Sequence, residues 1–174
     1  LSHAHIDHSG LIPYLYKQHF RGDIYCTPAT RDLCALMLTD TAYIQAQDVR
    51  WYNKKMDKLH KPKVQPLYEQ TDVDKVMRHF VCYDYDRRFR IFDDVLLTFT
   101  NSGHMLGSAI CSIDIFEEDQ PGGEKRWKRI AYTGDIGRAS SHILSAPQAF
   151  PQCDYLICES TYGNRIHEDR DVTE

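Results

Sequence analysis

From Phe80 onward the chain consists of short apolar segments separated by turn residues, and this pattern limits its fold more than any other feature of the sequence. The segments are rich in β-branched and aromatic residues, as strands are. We predict strands over residues 89–92, 95–99, 110–115, 129–132 and 155–158. Residues 120–123, Gln-Pro-Gly-Gly, predict the turn of a hairpin between the third and fourth strands. The second half of the chain is therefore expected to form sheet that needs an apolar cover.

The first half of the chain carries mostly helical patterns. The longest spans residues 30–52, where apolar side chains recur near the 3.6-residue period of an amphipathic helix. Shorter elements are predicted at residues 10–16 (helix), 24–26 (strand) and 73–79 (helix). Residues 53–70 are basic and contain two prolines, so we predict a solvated excursion there. Helices followed by strands favour an α/β (α+β) fold in which helices pack outside the sheets.

Composition narrows the class of protein. The 174 residues, 42% hydrophobic and 26% charged, fit one globular domain or part of a larger one. We expect neither a membrane span nor an export signal, because no apolar run has the required length. The net charge of −4 offers no general basic surface, so a nucleic acid would have to be held locally. The six cysteines include no C-x-x-C pair, which predicts buried free thiols in a reducing cytoplasm rather than disulfides or a thiolate metal site.

The sequence H-x-H-x-D-H near the start places four metal-binding side chains within six residues. Because alternate residues of an extended segment face the same way, His3 and His5 are predicted to point toward one ion. Asp7 and His8 follow where the chain turns toward the predicted helix, and they can address a second ion beside the first. These donors suit Zn²⁺ best, with Mn²⁺ or Fe²⁺ possible. The simpler alternative is a polar loop, but such a loop has no reason to concentrate imidazoles.

Two later motifs agree with a metal site. His104 follows a predicted strand within N-S-G-H-M-L-G-S, where glycines let the backbone approach an ion closely. Asp135 follows another predicted strand within T-G-D, and a carboxylate bridging two ions would complete a binuclear site. Taken alone, His104 is more often a turn or core histidine, and Asp135 a turn residue or helix cap.

In this order, the motifs H-x-H-x-D-H, G-H-x-x-G-S and T-G-D resemble the metallo-β-lactamase superfamily. Residues 158–163, C-E-S-T-Y-G, are similar to the motif with which β-CASP nucleases of RNA processing enter an inserted second domain. This branch includes the pre-mRNA 3′-end cleavage endonuclease and its bacterial and archaeal relatives. The resemblance implies an αββα sandwich, incomplete in this chain. It divides the sequence into a partial metallo-β-lactamase domain over 1–163 and the start of the connection into the β-CASP insertion over 164–174.

The resemblance also implies roles for individual residues. One zinc ion would be ligated by His3, His5 and His104, and the other by Asp7 and His8, with Asp135 between them. The expected catalytic residues are Asp7, which would orient the nucleophile, and Glu159, which would support a histidine from a later motif. The family's downstream histidines, a zinc ligand and the proton donor, have no counterpart in this sequence. His142 and His167 are interpreted as surface histidines.

These features together predict an RNA-cleaving endo- or exonuclease whose nucleophile is a hydroxide held by two zinc ions. A zinc hydrolase of the thioesterase or lactamase type is an alternative that the first three motifs equally permit. A second alternative is an inactive homologue that serves as a scaffold, although such a protein would be expected to have lost ligands. The expected partners are RNA and a second copy of the chain or an RNA-processing complex, with no membrane. The expected location is the cytoplasm, or the nucleus in a eukaryote.

Four basic segments are candidates for contact with a phosphate backbone. They lie at residues 53–55, 58–63, 86–90 and 125–129. In the last of them, Trp127 could stack on a base. The simpler explanation for each segment is a solvated face of a helix or hairpin.

Overall fold

Two sheets and the helices beside them confirm the predicted α+β class. The structure, a computed structural model, describes residues 1–118, 122–123, 125–138 and 143–164. The helices are α1 (Ile6–Ser9), α2 (Ile12–Lys17), α3 (Pro28–Lys58) and α4 (Gln70–Val76), with a 3₁₀ turn at Met77–His79. The strands are β1 (Ile24–Cys26), β2 (Phe80–Cys82), β3 (Phe89–Phe92), β4 (Val95–Asn101), β5 (Ala109–Glu118), β6 (Lys125–Tyr132) and β7 (Tyr155–Ile157).

All five strands predicted in the second half are confirmed, and they form one sheet in the order β3-β4-β5-β6-β7. The strands pair antiparallel from β3 to β6, while β7 joins β6 in parallel. The predicted hairpin is formed by β5 and β6, although part of its turn at 120–123 lies outside the described residues. A second sheet consists of β1 and β2 in parallel, and β2 was not predicted. Three residues are too short to show a period of two, and β2 follows the 3₁₀ turn directly, without a turn residue to mark its start.

Helix α3 is longer at both ends than the predicted 30–52. Thr27 caps it by accepting a hydrogen bond from the Thr30 N–H, and Pro28 occupies the first turn, where a missing N–H costs nothing. At the other end the buried side chain of Met56 continues the core-facing stripe beyond residue 52. The predicted solvated excursion over 53–70 is therefore wrong at its start. It is also wrong at Tyr68, which is fully buried beside α3 and α4.

Two apolar clusters hold the elements together. One lies between the helices and the two-stranded sheet and includes Leu38 and Phe80. The other lies between the two sheets, where the ring of Tyr83 stacks on Phe89 with centroids 3.5 Å apart. Tyr25 of β1 contacts the same phenylalanine ring at 5.7 Å. The sheets therefore meet face to face through aromatic side chains, and the N-terminal residues of the chain enter at one edge of this contact.

The predicted burial of the cysteines holds only in part. All six are free thiols, as predicted. Cys26, Cys34 and Cys111 are buried, whereas Cys158 is exposed, which contradicts the prediction for that residue. The reason is that β7 is the last strand of the described sheet and its side chains are more than half exposed. None of the described helices is both long and apolar enough to cross a membrane.

Candidate metal centre

The first five residues form an extended segment tied to both sheets. The backbone nitrogen of Leu1 donates to the Tyr25 carbonyl at 2.9 Å, and the Ala109 N–H donates to the Ser2 carbonyl at 2.8 Å. The Ser9 hydroxyl donates at 2.8 Å to the carbonyl of Ala4, the residue between His3 and His5. An extended backbone sends alternate side chains to one side, and the imidazoles of residues 3 and 5 accordingly lie 5.0 Å apart between centroids.

Helix α1 carries the next two candidate ligands, Asp7 and His8, where the sequence predicted a turn. The helix is a single turn, closed by hydrogen bonds from the Ser9 N–H to the His5 carbonyl at 2.8 Å and from the Gly10 N–H to the Ile6 carbonyl at 2.7 Å. This turn changes the direction in which side chains leave the backbone. Asp7 and His8 are thereby carried to one side of the position that His3 and His5 face.

The loop between β4 and β5 presents His104 through glycines on both sides. Gly103 and Gly107 have φ angles of +68° and +84°, which residues with a Cβ rarely adopt. The Gly107 carbonyl accepts hydrogen bonds from the hydroxyls of Thr27 and Thr30 at 2.7 and 2.9 Å. The loop is thus fastened to the start of α3, which fixes the position from which the imidazole projects.

Within the same loop, Ser108 holds the backbone of His104 directly. The Ser108 hydroxyl oxygen accepts from the N–H groups of His104 and Met105, both at 3.1 Å. The sequence motif G-H-x-x-G-S therefore has a structural reason at each position. The glycines permit the turn, and the serine closes it around the histidine.

Asp135 follows β6 in a loop held by Glu159. The Glu159 carboxylate accepts from the Ile136 N–H at 2.6 Å, while its own N–H donates to the Thr133 hydroxyl at 3.2 Å. Gly134 has a φ of +55°, and a Cβ there would stand 2.7 Å from the Ser2 side chain. Glu159 therefore acts on the backbone that carries Asp135. A histidine from a later motif, its expected partner, is not part of the described residues.

The four segments converge on one point. The candidate donor atoms of His3, His5, His104 and Asp135 all lie within 4.8 Å of one another. His104 Nε2 is 3.1 Å from His5 Nδ1 and 3.4 Å from Asp135 Oδ2, and His3 Nε2 is 3.5 Å from the same oxygen. Three imidazoles and a carboxylate gathered in this way are a typical set of zinc ligands.

The buried imidazole of His3 has the properties of a metal ligand. Its Nε2 is buried and has no hydrogen-bond partner, which is costly unless a cation takes that place. Burial, and then the neighbouring His8, lower the pKa of His3 to about 4 against the opposite influence of Asp135. The ring is therefore neutral at neutral pH. With the Ser2 hydroxyl 3.1 Å from Nδ1, a proton there leaves the Nε2 lone pair free to bind a cation.

A second position lies on the other side of Asp135. Its Oδ1 is 3.3 Å from His8 Nε2, whereas its Oδ2 faces the group formed by His3 and His104. Asp7 Oδ2 is 3.6 Å from the same His8 nitrogen, and the Asp7 side chain is 77% exposed. The two carboxylate oxygens of Asp135 thus face two different sets of donors. This arrangement suits two cations that share one carboxylate.

Sequence reasoning missed two residues that contact the candidate ligands. The Tyr132 hydroxyl lies 3.5 Å from His8 Nδ1, and the Ser2 hydroxyl contacts His3. Second contacts of this kind commonly orient metal-binding imidazoles. Tyr132 directly precedes T-G-D, and Ser2 directly precedes H-x-H, so their place in the sequence was the available signal. His142 and His167 lie outside the described residues.

Comparison with known proteins shows which proteins this chain resembles in sequence. No protein-family model matches the chain. It is similar to transcription termination factor FttA of Pyrococcus abyssi, with 36% identity over 178 residues, and of Thermococcus kodakarensis, with 36% over 165. The protein of the same name from Methanocaldococcus jannaschii is 37% identical over 164 residues. These matches cover 100%, 94% and 94% of this chain but only 24%, 22% and 22% of those proteins. The chain thus spans about a quarter of the length of the curated relatives it matches.

Proposed function

We propose that this chain supplies the metal centre of a ribonuclease that cleaves RNA phosphodiester bonds with two zinc ions. The observation that carries the proposal is the convergence of His3, His5, His104 and Asp135, which places donor atoms from distant parts of the chain within 4.8 Å of one another. The relatives named transcription termination factors support RNA as the substrate, because termination acts on a growing transcript. Cleavage of a transcript as transcription ends is the corresponding role.

The donor set fits divalent cations. The buried, unpartnered Nε2 of His3 is the clearest sign, since only a cation or a hydrogen bond removes its desolvation cost. Two such ions supply charge neutralisation for a phosphoryl group and lower the pKa of a water toward about 7. The first would be held by His3, His5 and His104, and the second by Asp7 and His8. Asp135 would serve both.

The protein groups have separate tasks around this pair of positions. Asp7, which is more exposed than Asp135, would accept a proton from a water at the mouth of the site. His8 is oriented by Tyr132 and Asp135. Glu159 holds the loop of Asp135 without entering the centre. We assign none of the described residues of the centre to protonating the leaving oxygen, and propose that a further group does so.

Hydrolysis by the full-length protein and two aspartate variants tests this function. Metal content would be measured alongside cleavage of a labelled single-stranded RNA. We expect about two zinc ions per chain in the wild type, and a loss of about 10²- to 10⁴-fold in kcat for Asp7→Ala, as for removal of a general base. Asp84→Ala, at an exposed aspartate outside the centre, is the matched control and should leave both quantities unchanged.

Three outcomes would contradict the proposal. Unchanged RNA cleavage by Asp7→Ala would remove this residue and the mechanism built on it. Cleavage of a thioester or lactam with RNA left intact would replace the ribonuclease with a small-molecule hydrolase. A wild-type protein that holds zinc and cleaves none of these substrates would favour a scaffold.

A further inference from the structure

The outer face of α3 carries a continuous stripe of aromatic and basic side chains. We call Tyr43, Arg50, Trp51, Lys54 and Lys58 the outer stripe. Arg50 and Trp51 are adjacent and the other steps are of seven, three and four residues, so at about 100° per residue all five lie within about 100° of one another around the helix. The buried residues of α3 lie on the opposite side: Thr30, Cys34, Leu38, Ala42 and Met56. The rings of Tyr43 and Trp51 are 64% and 68% exposed, so the core does not explain them.

The charge around the stripe differs from that of the whole chain. Residues 50–63 contain six Lys or Arg and one Asp, a net charge of +5, whereas the chain as a whole carries −4. The side chains of Arg50, Lys54 and Lys58 are all exposed. A local positive field on an acidic protein attracts a polyanion to that one place.

The basic segments on the strands are engaged within the protein instead. The Asp114 carboxylate, which is 3% exposed, binds Arg88 at 2.8 Å and Arg129 at 2.5 Å. Lys128 pairs with Glu117 at 2.9 Å. The guanidinium of Arg88 also lies over the Trp127 ring. Arg88, Lys128 and Arg129 are therefore engaged with the sheet. The exposed basic side chains at the end of α3 are the stronger candidates for contact with an external anion.

A recess beside Trp51 gives the stripe a defined shape. Asn53 binds the backbone of Val64 with two hydrogen bonds, at 2.8 and 2.9 Å, and so fastens the segment after α3 against the helix. The recess has a volume of about 790 Å³, and Lys63 at its edge pairs with Asp57 at 3.0 Å. Its lining residues are Trp51, Arg50, Lys54, Lys63, Gln47, Asn53, Asp48 and Asp57. A flat aromatic ring next to several cations at a recess is the usual form of a stacking site for single-stranded nucleic acid.

We propose that the outer stripe binds a single-stranded stretch of the RNA substrate, with bases stacked on Trp51 and Tyr43 and phosphates held by Arg50, Lys54 and Lys58. The inference rests on the proposed function in taking RNA as the ligand. It adds a binding site that is separate from the metal centre. Bases of any identity present a ring face, so the stripe would select for unpaired RNA rather than for a sequence.

The position of the stripe along α3 determines how long an RNA must be to contact both the stripe and the metal centre. Thr30 binds the loop of His104, whereas Trp51 lies twenty-one residues further along the same helix. At about 1.5 Å per residue the two are about 30 Å apart. A long RNA can therefore reach both the centre and the stripe, and a short one cannot. Binding at the stripe should appear as a dependence of affinity on RNA length.

The test measures binding of labelled oligouridylate to the full-length protein by fluorescence anisotropy. Oligomers of about 6 and about 30 nucleotides are compared in the Asp7→Ala background, so that the RNA stays intact. The stripe variant is Arg50→Gln, Lys54→Gln and Lys58→Gln combined. The matched control, Lys17→Gln, Lys75→Gln and Arg78→Gln combined, removes the same charge from exposed positions outside the four basic segments.

For the long oligomer, removing three phosphate contacts should reduce the slope of log affinity against log salt by about 2. Trp51→Ala should weaken binding between about fivefold and a hundredfold without changing this slope, and Trp51→Phe should restore most of the affinity. The short oligomer can occupy only one of the two sites at a time, so it should lose less affinity than the long one in the stripe variants. In the protein with Asp7 intact, the stripe variant should raise KM for the long RNA and leave kcat unchanged.

Two results would overturn the inference. One is a stripe variant that matches the control in both affinity and salt slope. The other is a fall in thermal stability with RNA affinity unchanged, which would identify the stripe as a surface covered by protein. If the stripe variants lose RNA binding while the wild type cleaves no RNA, the RNA-binding role of the stripe is supported and the ribonuclease proposal is rejected. If the wild type cleaves RNA while the stripe variants bind RNA normally, the ribonuclease proposal is supported and the stripe proposal is rejected.

Discussion

We predict that Glu159 controls metal affinity through the backbone, because its carboxylate holds the loop of Asp135. Its carboxylate accepts a hydrogen bond from the Ile136 N–H at 2.6 Å, one residue beyond Asp135. A hydrogen bond to a charged acceptor contributes about 1.5–3 kcal/mol, and partial exposure of Glu159 favours the lower end of that range. Replacing Glu159 with alanine therefore releases the loop that presents Asp135 to both cation positions.

The size of the effect follows from that hydrogen bond. A loss of about 1.5 kcal/mol makes departures of the loop from its position about tenfold more frequent. Removing a group that orients a metal ligand typically lowers metal affinity 10–100-fold, and we expect Glu159→Ala to fall in this range. Glu159→Gln keeps an acceptor oxygen and should retain affinity within a fewfold of the wild type. Glu159→Ala should retain its fold, because the bond is local.

Zinc affinity of the full-length protein, measured by competition with a chromophoric chelator, checks this prediction. Glu118→Ala is the matched control, because the Glu118 carboxylate also accepts a backbone N–H, that of Gly122 at 2.8 Å, but does so in the hairpin. Zinc affinity equal to wild type in Glu159→Ala would refute the reasoning. RNA cleavage abolished equally in Glu159→Gln and Glu159→Ala, with zinc retained, would instead assign the charge itself a catalytic role.

Two further predictions concern stability. Gly107→Ala should lower the free energy of unfolding by about 2–4 kcal/mol, because a Cβ at φ +84° would stand 2.6 Å from the Thr30 N and displace two hydroxyl hydrogen bonds. Gly122→Ala, at φ +80° with open space around it, should cost only about 1 kcal/mol, and equal losses in urea titrations would contradict the argument. Burial raises the pKa of Asp114, but Arg129 and Arg88 outweigh it and hold the pKa below its usual value. This stabilisation is present above the unfolded pKa of about 3.9 and is lost as pH falls through the folded pKa, so Asp114→Asn should flatten the acid limb of stability against pH. An unchanged acid limb would exclude Asp114 as its source.

Local patterns in the sequence correctly predicted features that lie within a single segment of the chain. Alternation along an extended backbone placed His3 and His5 on one side, and the strand pattern located β3 to β7. Helix α1 was missed because a four-residue helix has no period to detect. Its presence changes how Asp7 and His8 leave the backbone, not which residues lie near the centre.

Contacts between distant segments set the limit of prediction. Glu159 lies 23 residues from Ile136 in sequence, and its partner is a backbone N–H, which every residue type except proline provides. The full burial of Tyr68 depends on packing against α3 and α4, so a basic, proline-containing stretch gave no sign of it. The aromatic residues of the outer stripe fitted the helical period as well as core residues do. These aromatic residues differ from core residues only in lying on the solvent-facing side of the helix.

We propose that three segments distant in sequence, residues 3–8, His104 and Asp135, enclose two cations. The most direct test is anomalous X-ray diffraction at the zinc edge from crystals of the zinc-loaded full-length protein. We predict two peaks, one about 2.0–2.2 Å from donor atoms of His3, His5 and His104, and both within that distance of an oxygen of Asp135. Zinc bound only at cysteine sulfurs, or peaks beyond bonding distance of Asp135, would contradict the account.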